Sequence, residues 1–250
     1  MMDLGLDGRV ALVTGGSRGI GAAVSLVLGR LGCDVALTYR GREQAAKEVA
    51  RQIEAMGRRA LAIQADVGDF DGAERTVQTV VDTLGRLDIL VCNAGITWDG
   101  VIWKMSEQQW DAVIDTNLKG YFNYNRAAAR VFKDARYGKI VNIASINGLR
   151  GKFAQSNYSA SKAGNIALSK ALAKELGKFN VNVNCVAPGM VMTEMAESIP
   201  PAFLNAATSE TVLGRIASSE DVAHVVAFLC SDFSRHVTGE VIKVDGGQYI

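Results

Sequence analysis

The sequence predicts a doubly wound, mainly parallel α/β sheet of seven strands, covered by helices on both faces and contained in a single domain over 1–250. Three observations carry this. Short, nearly continuous apolar runs alternate with helix-length amphipathic segments along the chain, the pattern of a parallel sheet buried on both faces. A glycine-rich turn, Thr14-Gly15-Gly16-Ser17-Arg18-Gly19-Ile20-Gly21, directly follows the first of those runs. The alternation never pauses for a linker, a repeat or a low-complexity tract, so the 250 residues read as one unit.

In order, the strands are Val10 to Val13, Asp34 to Tyr39, Ala60 to Gln64, Asp88 to Cys92, Lys139 to Ala144, Val181 to Ala187 and Val241 to Val244. Amphipathic helices fill the intervals, two of them announced by the start signals Ser106-x-x-Gln109 and Ser218-Ser219-Glu220. Right-handed crossovers then place a ligand crevice at the carboxyl ends of the strands. The segment 189–213 breaks the rhythm. Pro200-Pro201 interrupts helix formation there, and Met190, Met192, Met195, Ile199, Phe203 and Leu204 supply an apolar surface, which reads as a lid beside the crevice.

Composition narrows the function. Hydrophobic residues make up 48% and charged residues 21%, enough to cover both faces of a sheet, and the formal net charge of +1 argues against nucleic acid or an anionic membrane as partner. No apolar stretch reaches the roughly 18 residues that span a bilayer, and Met1 to Gly8 shows neither a signal nor a transit peptide, so a cytoplasmic location is expected. Cys33, Cys92, Cys185 and Cys230 are scattered within apolar surroundings and read as buried thiols, and neither they nor His224 and His236 have metal-ligand spacing; no metal is expected.

The glycine turn couples a strand end, a phosphate cradle and a helix start, which is the arrangement of a dinucleotide site. Gly15, Gly19 and Gly21 let the backbone turn and approach a pyrophosphate, with Ser17, Arg18 and Ile20 completing the loop. An NAD site wants a carboxylate at the end of the second strand, about 20 residues beyond the glycines. Tyr39, Arg40 and Arg42 stand there, with no acid before Glu43. A 2′-phosphate suits guanidinium groups, so Arg40, with Arg18 in the loop, points to NADP. Reduction of a ketone needs an acid on oxygen; Tyr158 is that candidate, and Lys162, four residues on, shares its helix face and would favour the phenolate. Ser145 would hold the substrate oxygen by a hydrogen bond. Asn117 falls in the middle of a predicted helix, where asparagine is a poor choice.

The spacing G-x-x-x-G-x-G, Asn93-Ala94-Gly95, Asn117, Ser145 and Tyr158-x-x-x-Lys162 stand in the order of the short-chain dehydrogenase/reductase family, which the chain resembles from about Gly8 to Gly247. The resemblance implies a Rossmann-type fold and a homotetramer. It implies adenine contacts at Asp66 and Val67, an approach to the adenosine ribose by Asn93, Ala94 and Gly95, and nicotinamide-side contacts at Pro188, Gly189, Val191 and Thr193. Tyr158 and Lys162 would both touch the cofactor, and the Asn117 carbonyl would hold a water that connects Lys162 to solvent. Within the family the chain is most similar to reductases of 3-oxoacyl thioesters on acyl carrier protein or CoA, which implies reduction of a keto group by NADPH. Those with a carrier partner share a basic patch; Arg136, Lys133 and Arg130 match its first part, whereas Phe179, next to Lys178, replaces its second basic residue. That departure, with Trp98 and Trp103 near the pocket mouth, keeps a dehydrogenase of a secondary alcohol, sugar or alicyclic hydroxy compound as an alternative, and a silent nucleotide-binding scaffold as a third.

Overall fold

In a computed structural model, residues 4–194 and 201–250 are described. The seven predicted strands are present as β1 Val10–Val13, β2 Asp34–Tyr39, β3 Ala60–Gln64, β4 Ile89–Cys92, β5 Gly138–Ile143, β6 Val181–Pro188 and β9 Val241–Val244. They form one sheet in the order β3-β2-β1-β4-β5-β6-β9. All six pairings are parallel, so the sheet is wholly rather than mainly so. Two further strands, β7 Val191–Met192 and β8 Ala217–Ser218, pair with each other outside it; two residues each are too few to leave an alternation in the sequence.

The helices are α1 Gly19–Arg30, α2 Glu43–Ala55, α3 Phe70–Leu84, α4 Glu107–Ile114, α5 Gly120–Ala135, α6 Asn147–Arg150, α7 Ser156–Leu176, α8 Pro201–Ser209 and α9 Ser219–Cys230. The strand period of two divides the core. Ala11, Val13, Ile89 and Val91 face one cluster with α1, α2 and α9. Val10, Leu12, Leu90 and Cys92 face another with α3, α5 and α7. Both serine starts are complete capping boxes, Ser106 with Gln109 and Ser218 with Asp221.

The segment 189–213 departs from expectation. Pro201 opens α8 instead of interrupting a helix, because the first helical position has no intrahelical partner for the N–H that proline lacks. Met195, Ile199 and Pro200 lie outside the described residues, as do the side chains of Pro201 and Phe203. Strand order reverses between β1 and β4, and there the crevice opens at the carboxyl ends.

Candidate active site

The β1–α1 turn is built around the absence of side chains. Gly15 has φ +66, and a Cβ on it would stand 2.9 Å from Ala94 Cα; a Cβ on Gly21 would collide with the Gly15 carbonyl oxygen and Asn93 Nδ2. Loop, helix and β4 therefore meet with no room between them. Thr14 Oγ1 accepts from the amides of Asn93 (2.9 Å) and Ala94 (3.1 Å), while Asn93 Nδ2 donates to the carbonyls of Thr14 (3.0 Å) and Gly15 (3.1 Å). The Asn93 side chain is thus a latch between β4 and the turn. Gly15 N donates to Thr38 Oγ1 at 3.2 Å.

No side chain caps α1 and no acid stands in its first turn, so the free N–H groups beyond Arg18 face the crevice as an anion site. Thr193 packs against Gly19, its Cγ2 lying 3.4 Å from where a Cβ would be, and the two share a cavity of about 270 Å³ with Met192, Glu194 and Ser219. This puts Thr193 beside the start of α1. A larger cavity of about 530 Å³, between Val212, Leu213, Asp245 and Ile250, touches none of the candidate catalytic residues. Arg42 pairs with Glu194 at 3.2 Å; among the described residues no ion pair holds Arg18 or Arg40, and Arg40 is exposed at the end of β2. A glycine cradle, an uncapped helix start and two uncommitted guanidiniums fit a phosphorylated dinucleotide.

On the adenine side Asp66 is exposed, with Oδ1 accepting from Gly68 N at 2.9 Å. Val67 is mostly occupied by the fold: its carbonyl accepts from Asn123 Nδ2 at 2.9 Å, and its side chain fills the space a Cβ on Gly120 would need. Pro188 and Val191 are buried at the end of β6 and in β7, and Gly189 has no room for a side chain beside Asp245.

Ser145, Tyr158, Lys162 and Asn117 converge at the ends of β5, α7 and the α4–α5 junction. Asn117 lies in a π-turn, Asp115–Lys119, that joins α4 to α5. This explains an asparagine in a helical run, since the widened turn frees the Asn117 carbonyl from the helix ladder while its side-chain amide bonds outside the helix. Asn117 Oδ1 accepts from Ile96 N (2.8 Å), Nδ2 donates to the Ile96 carbonyl (2.9 Å), and its own carbonyl accepts from Asn165 Nδ2 (2.9 Å). Ser145 is 7% exposed, with Oγ accepting from Asn147 N at 3.1 Å.

Lys162 departs from the sequence expectation. Its Nζ donates to the Ile143 carbonyl (2.7 Å) and to Tyr121 OH (3.2 Å), and stands 5.6 Å from the Tyr158 ring centre. Burial lowers the ammonium to about 8. The Tyr158 phenol lies above its ordinary value: burial raises it, the Ser145 hydroxyl pulls it down, and the Asp99 carboxylate adds to the rise. The i, i+4 spacing predicts a depressed phenol; here burial is the largest influence, and the Lys162 ammonium is turned toward Tyr121 and Ile143.

The loops before α7 are stitched to the mouth. Gln155 Nε2 donates to Asp99 Oδ1 (3.1 Å) and Oδ2 (3.0 Å), Asn147 Nδ2 donates to Gln155 Oε1 (3.1 Å), and Asn157 Nδ2 donates to the Trp98 carbonyl (3.0 Å). Trp98, Trp103 and Phe153 are exposed on these loops. Elsewhere, Lys133, Arg136 and Lys178 gather around the Phe179 ring at 6.0, 6.0 and 5.2 Å. Thr14, Thr38, Tyr121, Asn157 and Asn165 were not singled out by sequence; Thr38 alone leaves a signal, as a polar residue inside an apolar strand.

Among the described residues no helix is long and apolar enough to cross a membrane, and no group of side chains is arranged to hold a metal. The four cysteines are free and buried. A sequence profile of the family described as Enoyl-(Acyl carrier protein) reductase matches residues 15–248. The 3-oxoacyl-[acyl-carrier-protein] reductase of Staphylococcus aureus is 42% identical over 242 residues, covering 97% of this chain and 98% of its own. The acetoacetyl-CoA reductase of Shinella zoogloeoides is 42% identical over 243 residues, covering 96% and 98%. A crystal structure from Sinorhizobium meliloti 1021, provisionally assigned as a short-chain alcohol dehydrogenase, superposes with a TM-score of 0.94 at 36% identity, over 99% of this chain and 98% of that one.

Proposed function

The chain belongs to the short-chain dehydrogenase/reductase family and is an oxidoreductase acting on CH–OH donors; from that premise we propose that it is an NADPH-dependent reductase of the keto group of 3-oxoacyl thioesters. The observation that carries this reading is the convergence of Ser145, Tyr158, Lys162 and Asn117 beside a glycine cradle flanked by Arg18 and Arg40. Gly15, Ser17, Gly19, Ile20 and Gly21 would hold the pyrophosphate, and Asp66, Val67, Ala94 and Gly95 the adenosine half. Pro188, Gly189, Val191 and Thr193 would hold the other half, and Arg40 with Arg18 the 2′-phosphate. A bound nicotinamide supplies the hydride.

The rest belongs to the chain. Ser145 donates a hydrogen bond to the keto oxygen and fixes it beside the Tyr158 phenol. With its titration raised, Tyr158 carries its proton throughout neutral pH, so the acid is loaded for reduction. As the oxygen gains negative charge it takes that proton, leaving phenolate. Lys162 supplies the positive charge that makes phenolate tolerable, and the Asn117 turn is the route by which protons return. The segment 189–213 acts as a lid, and the chain works as a homotetramer.

A second reading, a small-ketone or alcohol dehydrogenase, is favoured by Phe179 in place of a basic residue. The three cations around its ring still form a positive surface for an acidic carrier. NADPH oxidation with an acyl-carrier thioester, acetoacetyl-CoA and simple ketones decides between them. Higher kcat/KM for either thioester supports the proposal, and turnover confined to simple ketones or alcohols overturns it. Tyr158→Phe should abolish turnover and leave NADPH binding nearly intact; substantial residual activity would assign the proton to another acid.

A further inference from the structure

Lys162 is 3% exposed, and among the described residues the groups acting on it include no carboxylate. From β4 and β6 it is faced by the Cys92 and Cys185 thiols, both kept neutral by burial. From α5 it is faced by Tyr121, from its own helix by Tyr158, and from β5 by the Ile143 carbonyl. An ammonium buried without a counter-charge must be satisfied by neutral acceptors or lose its proton.

The hydrogen bonds close a triangle. Tyr121 OH donates to the Ile143 carbonyl at 3.0 Å, and Lys162 Nζ donates both to that carbonyl, at 2.7 Å, and to the phenol oxygen, at 3.2 Å. The single phenol proton is committed to Ile143, so a Tyr121 lone pair is turned to the lysine. Tyr121 is 1% exposed and burial raises its titration well above the ordinary value, so it stays a neutral acceptor. It also stands four residues beyond Asn117, on the helix that leaves the π-turn, and Ile143 stands two residues before Ser145.

We infer that Tyr121 is a positioning residue that holds the Lys162 ammonium by a neutral hydrogen bond, keeping the lysine charged and aimed while leaving its charge uncancelled for the groups in front of it. A carboxylate in the same place would also hold the ammonium but would cancel the field that Tyr158 needs. An apolar side chain would leave one N–H without a partner and favour the neutral amine. The inference rests on the catalytic assignment of Lys162, but its first test does not.

Lysine-labelled, ligand-free protein is titrated by NMR, reading the Lys162 side-chain signal, in the unsubstituted chain and in Tyr121→Phe. The midpoint is expected near about 8 in the former. In the variant it should be lower by about one unit, the scale of a lost hydrogen bond to a charged group. Tyr121→Met, which removes ring and hydroxyl together, is the second variant and should shift the same way. The alkaline limb of kcat/KM with NADPH should move down in parallel, giving about a fivefold loss at pH 8 and little at pH 6. A midpoint unmoved in either folded variant overturns the inference, as does a drop in kcat/KM that is uniform across pH, which is the mark of a packing role. Activity surviving in Tyr158→Phe would overturn the catalytic reading instead and leave the titration result standing.

Discussion

Replacing Gly21 by alanine sets two effects of opposite sign against each other. In a helix interior alanine is favoured over glycine by about 1 kcal/mol. At Gly21 the new Cβ would lie inside the contact distance of the Gly15 carbonyl oxygen and Asn93 Nδ2, and 3.0 Å from the Gly15 carbonyl carbon. Two of those atoms are backbone, so relief means lifting the start of α1 off the turn or rotating the Asn93 amide. Rotation breaks its bonds to Thr14 and Gly15, at 3.0 and 3.1 Å, worth about 1 kcal/mol each. Overpacking adds about 1–3 kcal/mol. The clash wins, with a net loss of about 2–4 kcal/mol. Gly29→Ala in the same helix is the control, because its Cβ would meet only side chains, Ile53 at 3.2 and 3.3 Å and Met56 Sδ at 3.5 Å, and the two effects should nearly cancel. Denaturant unfolding reads stability, and NADPH fluorescence titration reads the cradle, where Gly21→Ala should weaken binding tenfold or more, at least about 1.4 kcal/mol. A Gly21→Ala protein as stable and as tight as the unsubstituted chain would refute this packing of turn, helix and β4.

Two further outcomes follow from the charges and thiols. Arg40→Asp should weaken NADPH and spare NADH, because a guanidinium with no ion-pair partner among the described residues becomes a carboxylate where the phosphate is expected; coenzyme dissociation constants with an unchanged NADPH preference would remove Arg40 from that role. Cys33, Cys92, Cys185 and Cys230 all titrate above the ordinary 9.0 because burial disfavours thiolate, Cys33 reaching about 12 and Cys185 about 11. Above pH 9 the unfolded chain therefore sheds protons that the folded chain keeps, and stability should fall by about 1.4 kcal/mol per thiol per pH unit. Lys162, lowered to about 8, opposes this from there up to its ordinary 10.5. Denaturation at pH 9 and 10.5 with no loss of stability would contradict the burial of the thiols.

The seven strands were legible because each is a local signal, an apolar run bounded by turn residues, and four of them match the structure at both ends. The glycine turn was legible for the same reason, since four glycines within seven residues have few explanations besides close approach. Asn117 was half legible: its misfit with a helix is a property of the sequence, while the π-turn that resolves it depends on Ile96 and Asn165, 21 and 48 residues away. The aim of Lys162 was not legible, because helix spacing places it on the Tyr158 face but does not say where its ammonium points.

What sequence did not reveal lies beneath the site, where polar side chains answer one another across long separations. Asn165 donates to the Asn117 carbonyl, Ser169 to the Asn165 carbonyl, Asn142 to Ser169, and Asn125 to Asn142. All four of these donors are 0% or 1% exposed. In a sequence such residues read as solvent-facing positions of α5 and α7 or as interruptions of β5, because nothing local distinguishes a buried asparagine from an exposed one. Burying them costs free energy unless each bond is made, and those bonds specify how α5 and α7 seat on β5. That seating sets the separation of Asn117, Tyr121, Ser145 and Lys162, which come from the π-turn, α5, the segment after β5 and α7. An apolar floor would leave the same helices free to shift by an ångström at little cost, and proton transfer does not tolerate that displacement. The polar floor therefore trades stability for a fixed distance between the acid and the lysine behind it.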